Sequence, residues 1–212
     1  MQEVTYLDYN ATSPMLPEVK EALLAHAGKP LNPSSIHSSG RAARKIVEDA
    51  RAEILKAVNA KGLILCGSAT EANNLVLKQA DIIIASEIEH ESIYKAASGA
   101  KIIPVTADGI IDLSSLKAAV SKGSLVSVML ANNETGIIQP IKEVAAIAHA
   151  AGALIHTDAV QAYGRINIDF EMLDVDFMTI APHKSGGAVG SAALIYKSDI
   201  ELKSFIKGGG QE

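Results

Sequence analysis

Lys184 follows His183 at the end of an apolar run, Asp176-Phe-Met-Thr-Ile-Ala-Pro, and is followed by Ser185-Gly186-Gly187. A second apolar run, Ala153-Leu-Ile-His-Thr, ends in Asp158 and leads to Gln161. An amine and a carboxylate delivered this way suit pyridoxal 5'-phosphate (PLP). The amine forms an imine with the aldehyde, and the carboxylate pairs with the pyridinium nitrogen. Either residue alone is commonplace. A lysine in a glycine loop is ordinarily solvated, and an aspartate after a strand ordinarily caps a turn.

The elements that must position them are short. Apolar segments at 63–66, 81–85, 101–106, 125–130, 153–157, 176–181 and 191–197 read as seven strands. Amphipathic stretches lie between them, at Glu71–Gln79, Ser114–Val120 and Ile141–Ala151, and residues 35–60 read as one long helix. Runs such as Ile82-Ile83-Ile84 are apolar on both faces, as when helices cover both sides of a mainly parallel sheet. The fold class is therefore α/β, with a mainly parallel seven-stranded sheet between helices. In such sheets ligands sit beyond the carboxyl ends of the strands. Thr70, His90, Asn133, Asp158 and Lys184 all fall just after strands, so periodicity gathers them at one sheet edge.

Composition narrows the function classes. The 212 residues suit one sizeable domain, and an apolar share of 48% supports a core built on Ala, Val, Ile and Leu without Trp. A net charge of −5 offers no basic footprint for nucleic acid. No apolar run reaches membrane-spanning length. Met1-Gln-Glu-Val-Thr has neither the basic nor the apolar region of a signal peptide. A single cysteine, Cys66, argues against a disulfide framework. A cytoplasmic location is expected.

Further motifs recur in order. Leu65-Cys-Gly-Ser-Ala69-Thr70-Glu-Ala-Asn-Asn74 reads as strand, turn and helix start. Glu89-His90-Glu91-Ser92 and Asn132-Asn133-Glu134-Thr-Gly follow two other strands. With Tyr6-Leu-Asp-Tyr-Asn-Ala-Thr-Ser-Pro14, Asn32-Pro-Ser-Ser-Ile-His37 and Gly40-Arg-Ala-Ala-Arg44, these segments resemble the cysteine desulfurases. Those enzymes are a branch of the class V, fold-type I PLP enzymes. The resemblance runs along essentially the whole chain.

It implies a role for each residue. Lys184 binds the cofactor and takes the substrate's α-proton. His90 stacks on the ring and shuttles protons. Asp158 pairs with the ring nitrogen, and Gln161 bonds the phenolic oxygen. Asn133, rather than Asn132, lies near that oxygen or the substrate carboxylate. Ala69, Thr70 and His183 lie by the phosphate, where a helix N-terminus offers free amides and a favourable dipole. Ser68-Ala-Thr-Glu71 also reads as a simple helix cap. Cys66, before the phosphate turn, is not the sulfur acceptor, since the family's nucleophile lies on a loop further along the chain.

The chain departs from the family pattern in places. Ala181 stands where a phosphate-binding Ser is usual, Ala188 where Pro is usual, and Ala192 where Gly is usual. Family members are considerably longer. Their remaining part carries an Arg-Ser-Gly-Thr segment, the catalytic cysteine loop and an arginine for the substrate carboxylate. The expected organisation is an N-terminal arm at 1–20, a PLP-binding large domain at 21–207, and the start of a further region at 208–212. The expected activity is sulfur transfer from L-cysteine, leaving L-alanine, for iron–sulfur cluster or thio-cofactor synthesis. A homodimer, a second polypeptide supplying the C-terminal half and the catalytic cysteine, and a sulfur-acceptor protein are the implied partners. The alternatives are a truncated remnant without activity, or another class V enzyme such as an aminotransferase or selenocysteine lyase.

Overall fold

The structure is a computed structural model, and it describes residues 5–204 and 206–209. Residues 1–4 of the expected arm and 210–212 of the expected C-terminal region lie outside the described residues. Seven strands form one sheet: β1 (Gly62–Cys66), β2 (Ile82–Ser86), β3 (Lys101–Ile103), β4 (Ser124–Ser127), β5 (Leu154–Asp158), β6 (Phe177–Ile180) and β7 (Ala192–Tyr196). Their order across the sheet is β1-β7-β6-β5-β4-β2-β3. Only β7 runs against its neighbours, β1 and β6, so the other six strands point the same way.

Neighbouring residues on each strand feed opposite faces, as the two-residue repeat of a strand requires. Ile84, Val126, Ile155, Met178 and Ile195 pack on one face with α5 (Leu113–Ala119) and α6 (Ile141–Ala150). Ala85, Leu125, Phe177 and Leu194 pack on the other with α3 (Ala69–Leu77) and α4 (Glu91–Tyr94). Both faces are thus dry. β4 and β6 are buried at every position, and the polar residues they carry, Ser124, Ser127 and Thr179, are small enough to be buried with them.

The elements differ from the sequence reading mainly at their ends. The segment at 101–106 is a strand only to Ile103, because Pro104 has no N–H to extend a ladder. The long helix α2 spans Ser38–Ala57, beginning after His37, whose ring nitrogen accepts the Gly40 amide at 3.4 Å. The helix at Pro17–His26, α1, was not expected. It buries none of its residues, so it lacks the apolar stripe that marks a helix in sequence. None of the described helices is long and apolar enough to cross a membrane.

Candidate active site

β1, β2, β4, β5 and β6 share a direction, so the residues that follow them collect at one edge of the sheet. A cavity of about 560 Å³ opens there. All eight candidate residues line it: Ala69 and Thr70 after β1, His90 after β2, Asn133 after β4, Asp158 and Gln161 at the end of β5, and His183 and Lys184 after β6. Cys66 does not line it. That thiol is buried at the end of β1.

The start of α3 forms part of the lining. Ser68 Oγ accepts the Glu71 amide at 3.1 Å, and the Glu71 carboxylate reaches back to the Gly67 amide at 2.8 Å. The cap therefore forms. Ala69 and Thr70 are the first two residues of the helix, ahead of any intrahelical acceptor, so their amides are donors an anion could use.

Asp158 is buried in the same lining. Its Oδ1 accepts the Val160 amide at 3.0 Å, and its Oδ2 accepts Asn73 Nδ2 at 2.8 Å. An ionised carboxylate has about four acceptor positions, so two contacts leave capacity for a ring N–H. Asn73 Nδ2 also donates to Ser92 Oγ at 2.8 Å. Ser92 in turn meets His90 Nδ1 through its amide (3.1 Å) and its hydroxyl (2.9 Å). Accepting from that amide makes Nδ1 the bare nitrogen of a neutral ring, so the proton sits on Nε2. A continuous polar chain thus joins Asp158 to His90. Asn73 and Ser92 were passed over at the sequence level. Both stood inside quoted motifs, but nothing in their spacing showed that they touch.

Lys184 ends a 3-10 turn, Pro182–Lys184, that is closed by glycine. A Cβ on Gly187 would sit 2.2 Å from Pro182 Cβ, and Gly186 has φ +91°. The lysine is half-buried. Desolvation holds its amine below the usual range and the Arg165 cation adds to this, while the charge of Asp158 opposes both. Burial and the Lys184 charge likewise lower His183.

The N-terminal segment closes over this turn. The His183 carbonyl accepts the Ser13 amide at 2.9 Å, and Gly186 donates to Ser13 Oγ at 2.7 Å. Arg165, also passed over, donates to Asn10 Oδ1 (2.9 Å), Tyr9 O (2.9 Å), Gln161 Oε1 (3.1 Å) and Lys184 O (3.0 Å). Gln161 Nε2 donates to Asn10 O at 2.9 Å, so its side-chain amide is engaged with the arm and would have to share that donor with a ligand. Of the two adjacent asparagines, Asn132 is buried and folds the turn, its Oδ1 accepting the Glu134 and Thr135 amides at 2.9 and 2.8 Å. Asn133 is the one that lines the cavity.

The donor set fits PLP: free amides for a phosphate, a buried carboxylate for a ring nitrogen, and an amine and an imidazole in the same lining. The cavity volume lies in the range of small-molecule sites. Ala181, buried beside the lysine turn, brings no hydroxyl to it.

Comparison with known proteins agrees with this geometry. The aminotransferase class-V family profile matches residues 5–212. The chain is 38% identical over 231 aligned positions to the cysteine desulfurase IscS of Dictyoglomus turgidum, covering 100% of this chain and 59% of that protein. It is 39% identical to the mitochondrial cysteine desulfurase of Saccharomyces cerevisiae, covering 98% of this chain and 46% of that protein. A solved NifS-like protein from Rickettsia africae superposes with a TM-score of 0.94 at 41% identity, over 99% of this chain and 62% of that one. The chain therefore spans about three fifths of the length of such relatives.

Proposed function

We propose, since the chain belongs to the aminotransferase class-V family, that it is the PLP-binding part of a cysteine desulfurase. The reaction would convert L-cysteine and a thiol into L-alanine and that thiol's persulfide, for iron–sulfur cluster or thio-cofactor synthesis. The observation that carries this reading is the convergence of Lys184, Asp158, His90 and the α3 amides on one cavity.

PLP supplies an aldehyde and an electron-withdrawing ring. The chain's own residues supply the rest. The Ala69 and Thr70 amides, with the Thr70 hydroxyl and His183, hold the phosphate. Asp158, kept in place by Asn73 and the Val160 amide, takes the ring N–H. Lys184 Nζ is the amine that would hold the aldehyde end of the cofactor, and it would serve as the base for a proton on the substrate's Cα. Its lowered pKa favours that step, because a base must spend part of its time unprotonated. His90 presents Nε2–H at the cavity, with Gln161 and Asn133 beside it.

The thiol must come from elsewhere, because Cys66 is the chain's one cysteine and does not line the cavity. The reading is completed by the remaining part of the family's length as the source of that thiol, for which a second polypeptide is one candidate, by a homodimeric assembly and by a sulfur-acceptor protein. Ala181 favours a second reading, a PLP-binding protein without turnover. The two are separated by adding L-cysteine and a small thiol to the PLP-loaded chain. L-alanine forming in step with persulfide supports the desulfurase. A loaded chain that yields neither product, alone or with the C-terminal portion of a relative added, supports the second reading.

A further inference from the structure

Glu89 is a buried carboxyl, 7% exposed, to which the chemistry above gives no task. Its Oε1 accepts the Met129 amide at 2.5 Å. Its Oε2 is buried with no hydrogen-bond partner among the described residues. A charged oxygen in that position would forfeit its hydration without compensation, whereas a protonated one forfeits far less.

The groups that surround it supply no cation. Asp158 faces it from β5 with a negative charge, and Ser127 lies near it on β4. Ser127 Oγ in turn meets Nδ1 of His156 at 3.0 Å, and burial keeps that ring neutral, with its pKa lowered to about 4. From α4, Tyr94 donates its hydroxyl to Ser86 O at 2.7 Å, and burial pushes that phenol up. His90 follows it directly in the chain, and Glu87 nearby accepts the Val105 amide at 2.5 Å. Burial, and then Asp158, push the Glu89 carboxyl up to about 8, against the opposing pull of the Met129 amide and Ser127.

We infer that Glu89 is a positioning residue of the cavity: a carboxylic acid that keeps its proton, anchors the Met129 wall, and leaves Asp158 as the single anion on that side. Met129 lines the same cavity as His90 and Asn133, so anchoring its amide shapes the site. A second carboxylate charge would compete with Asp158 for whatever cation the site holds and would repel it. What Asp158 does with its charge rests on the PLP reading. That Glu89 holds a proton does not.

The test compares wild type with Glu89→Gln, which keeps the shape and the acceptor for Met129 but cannot titrate. Urea unfolding of the full chain without cofactor is followed from pH 6.5 to 8. In that window the folded state holds a proton that the unfolded state lacks, so wild-type stability falls as pH rises. Its unfolding constant climbs by up to about tenfold per pH unit, or about 1.4 kcal/mol. The Gln variant should lose that fall with rising pH. Equal slopes in the two proteins overturn the inference. Should Glu89→Gln not fold, Glu89→Met reads the same slope. PLP binding is then measured at pH 6.5, where the variant should match wild type. A loss of tenfold or more would mean that the charge itself is needed, and would also overturn the inference. If wild type binds no PLP, the cofactor reading fails, and the two slopes still decide whether Glu89 is neutral.

Discussion

Asn73 Nδ2 lies 2.8 Å from Asp158 Oδ2 and also 2.8 Å from Ser92 Oγ, so one side-chain amide fixes both the aspartate and the path to His90. Replacing it by Leu keeps the branched shape, in a larger side chain, but removes the donor. Asp158 Oδ2 would then be buried without its partner, which should destabilise the fold by about 1–3 kcal/mol. PLP affinity should fall with it, because the carboxylate is no longer aimed. Urea unfolding and PLP titration check the two effects. Unchanged affinity in a folded Asn73→Leu protein would mean that Asp158 needs no such guide.

Arg165 ties three segments together, holding Tyr9 and Asn10 of the arm, Gln161, and the Lys184 carbonyl. Arg165→Met should release the arm, seen as faster proteolysis before α1. Stability should fall as well, because each of the four hydrogen bonds lost contributes about 0.5–1.5 kcal/mol. The variant also removes a cation beside Lys184, so the pKa of that amine should rise. The pH dependence of lysine modification by an amine-reactive reagent, read at Lys184 by peptide mass mapping, checks that shift.

His156 lies between Ser127 Oγ and Thr179 Oγ1, at 3.0 Å from each, and burial lowers its pKa from 6.5 to about 4. Between those values the unfolded chain binds a proton that the folded chain refuses, so acidification from 6.5 toward 4 costs stability. Glu89 acts in the opposite sense. Its pKa, raised from 4.5 to about 8, makes the folded chain the one that holds the proton, so acidification through that span adds stability. From pH 6.5 to 4.5 the two largely cancel, and wild-type stability should contain little slope from this pair. Glu89→Gln should expose the His156 contribution, a loss of up to about 1.4 kcal/mol per pH unit on acidification. Adding His156→Gln should remove it. Urea midpoints at pH 4.5, 5.5 and 6.5 give the answer. An acid slope that persists in the double variant would assign it to other groups.

Ala181 offers a gain-of-function prediction. It is fully buried next to the lysine turn, where the family pattern places a serine. A hydrogen bond to a charged group is worth about 1.5–3 kcal/mol, so Ala181→Ser should tighten PLP binding by about tenfold or more. The same hydroxyl, buried without a ligand, should slightly lower the stability of the cofactor-free chain. Equilibrium dialysis and urea unfolding read the two signs separately.

Much of the site was legible in sequence because it depends on chain direction alone. Strands buried on both faces imply a parallel sheet, and a parallel sheet brings the residues after β1, β2, β4, β5 and β6 to one edge whatever their side chains do. What escaped was the layer behind them. Asn73 meets Asp158 across 85 residues, and Arg165 reaches Asn10 across 155. No periodicity encodes such pairings. Glu89 was hidden differently: as a charged residue beside a histidine it read as part of a motif, and only its burial shows that it is held away from water. The helix α1 escaped because it buries no face.

The most direct measurement of the central claim is a difference spectrum of the purified chain with PLP, with Lys184→Ala alongside. The account predicts a visible absorption band from cofactor joined to lysine in wild type, absent in the variant, with both proteins folded by circular dichroism. A folded wild type without that band, or a variant that keeps it, would contradict the assignment of Lys184 and of the cavity around it.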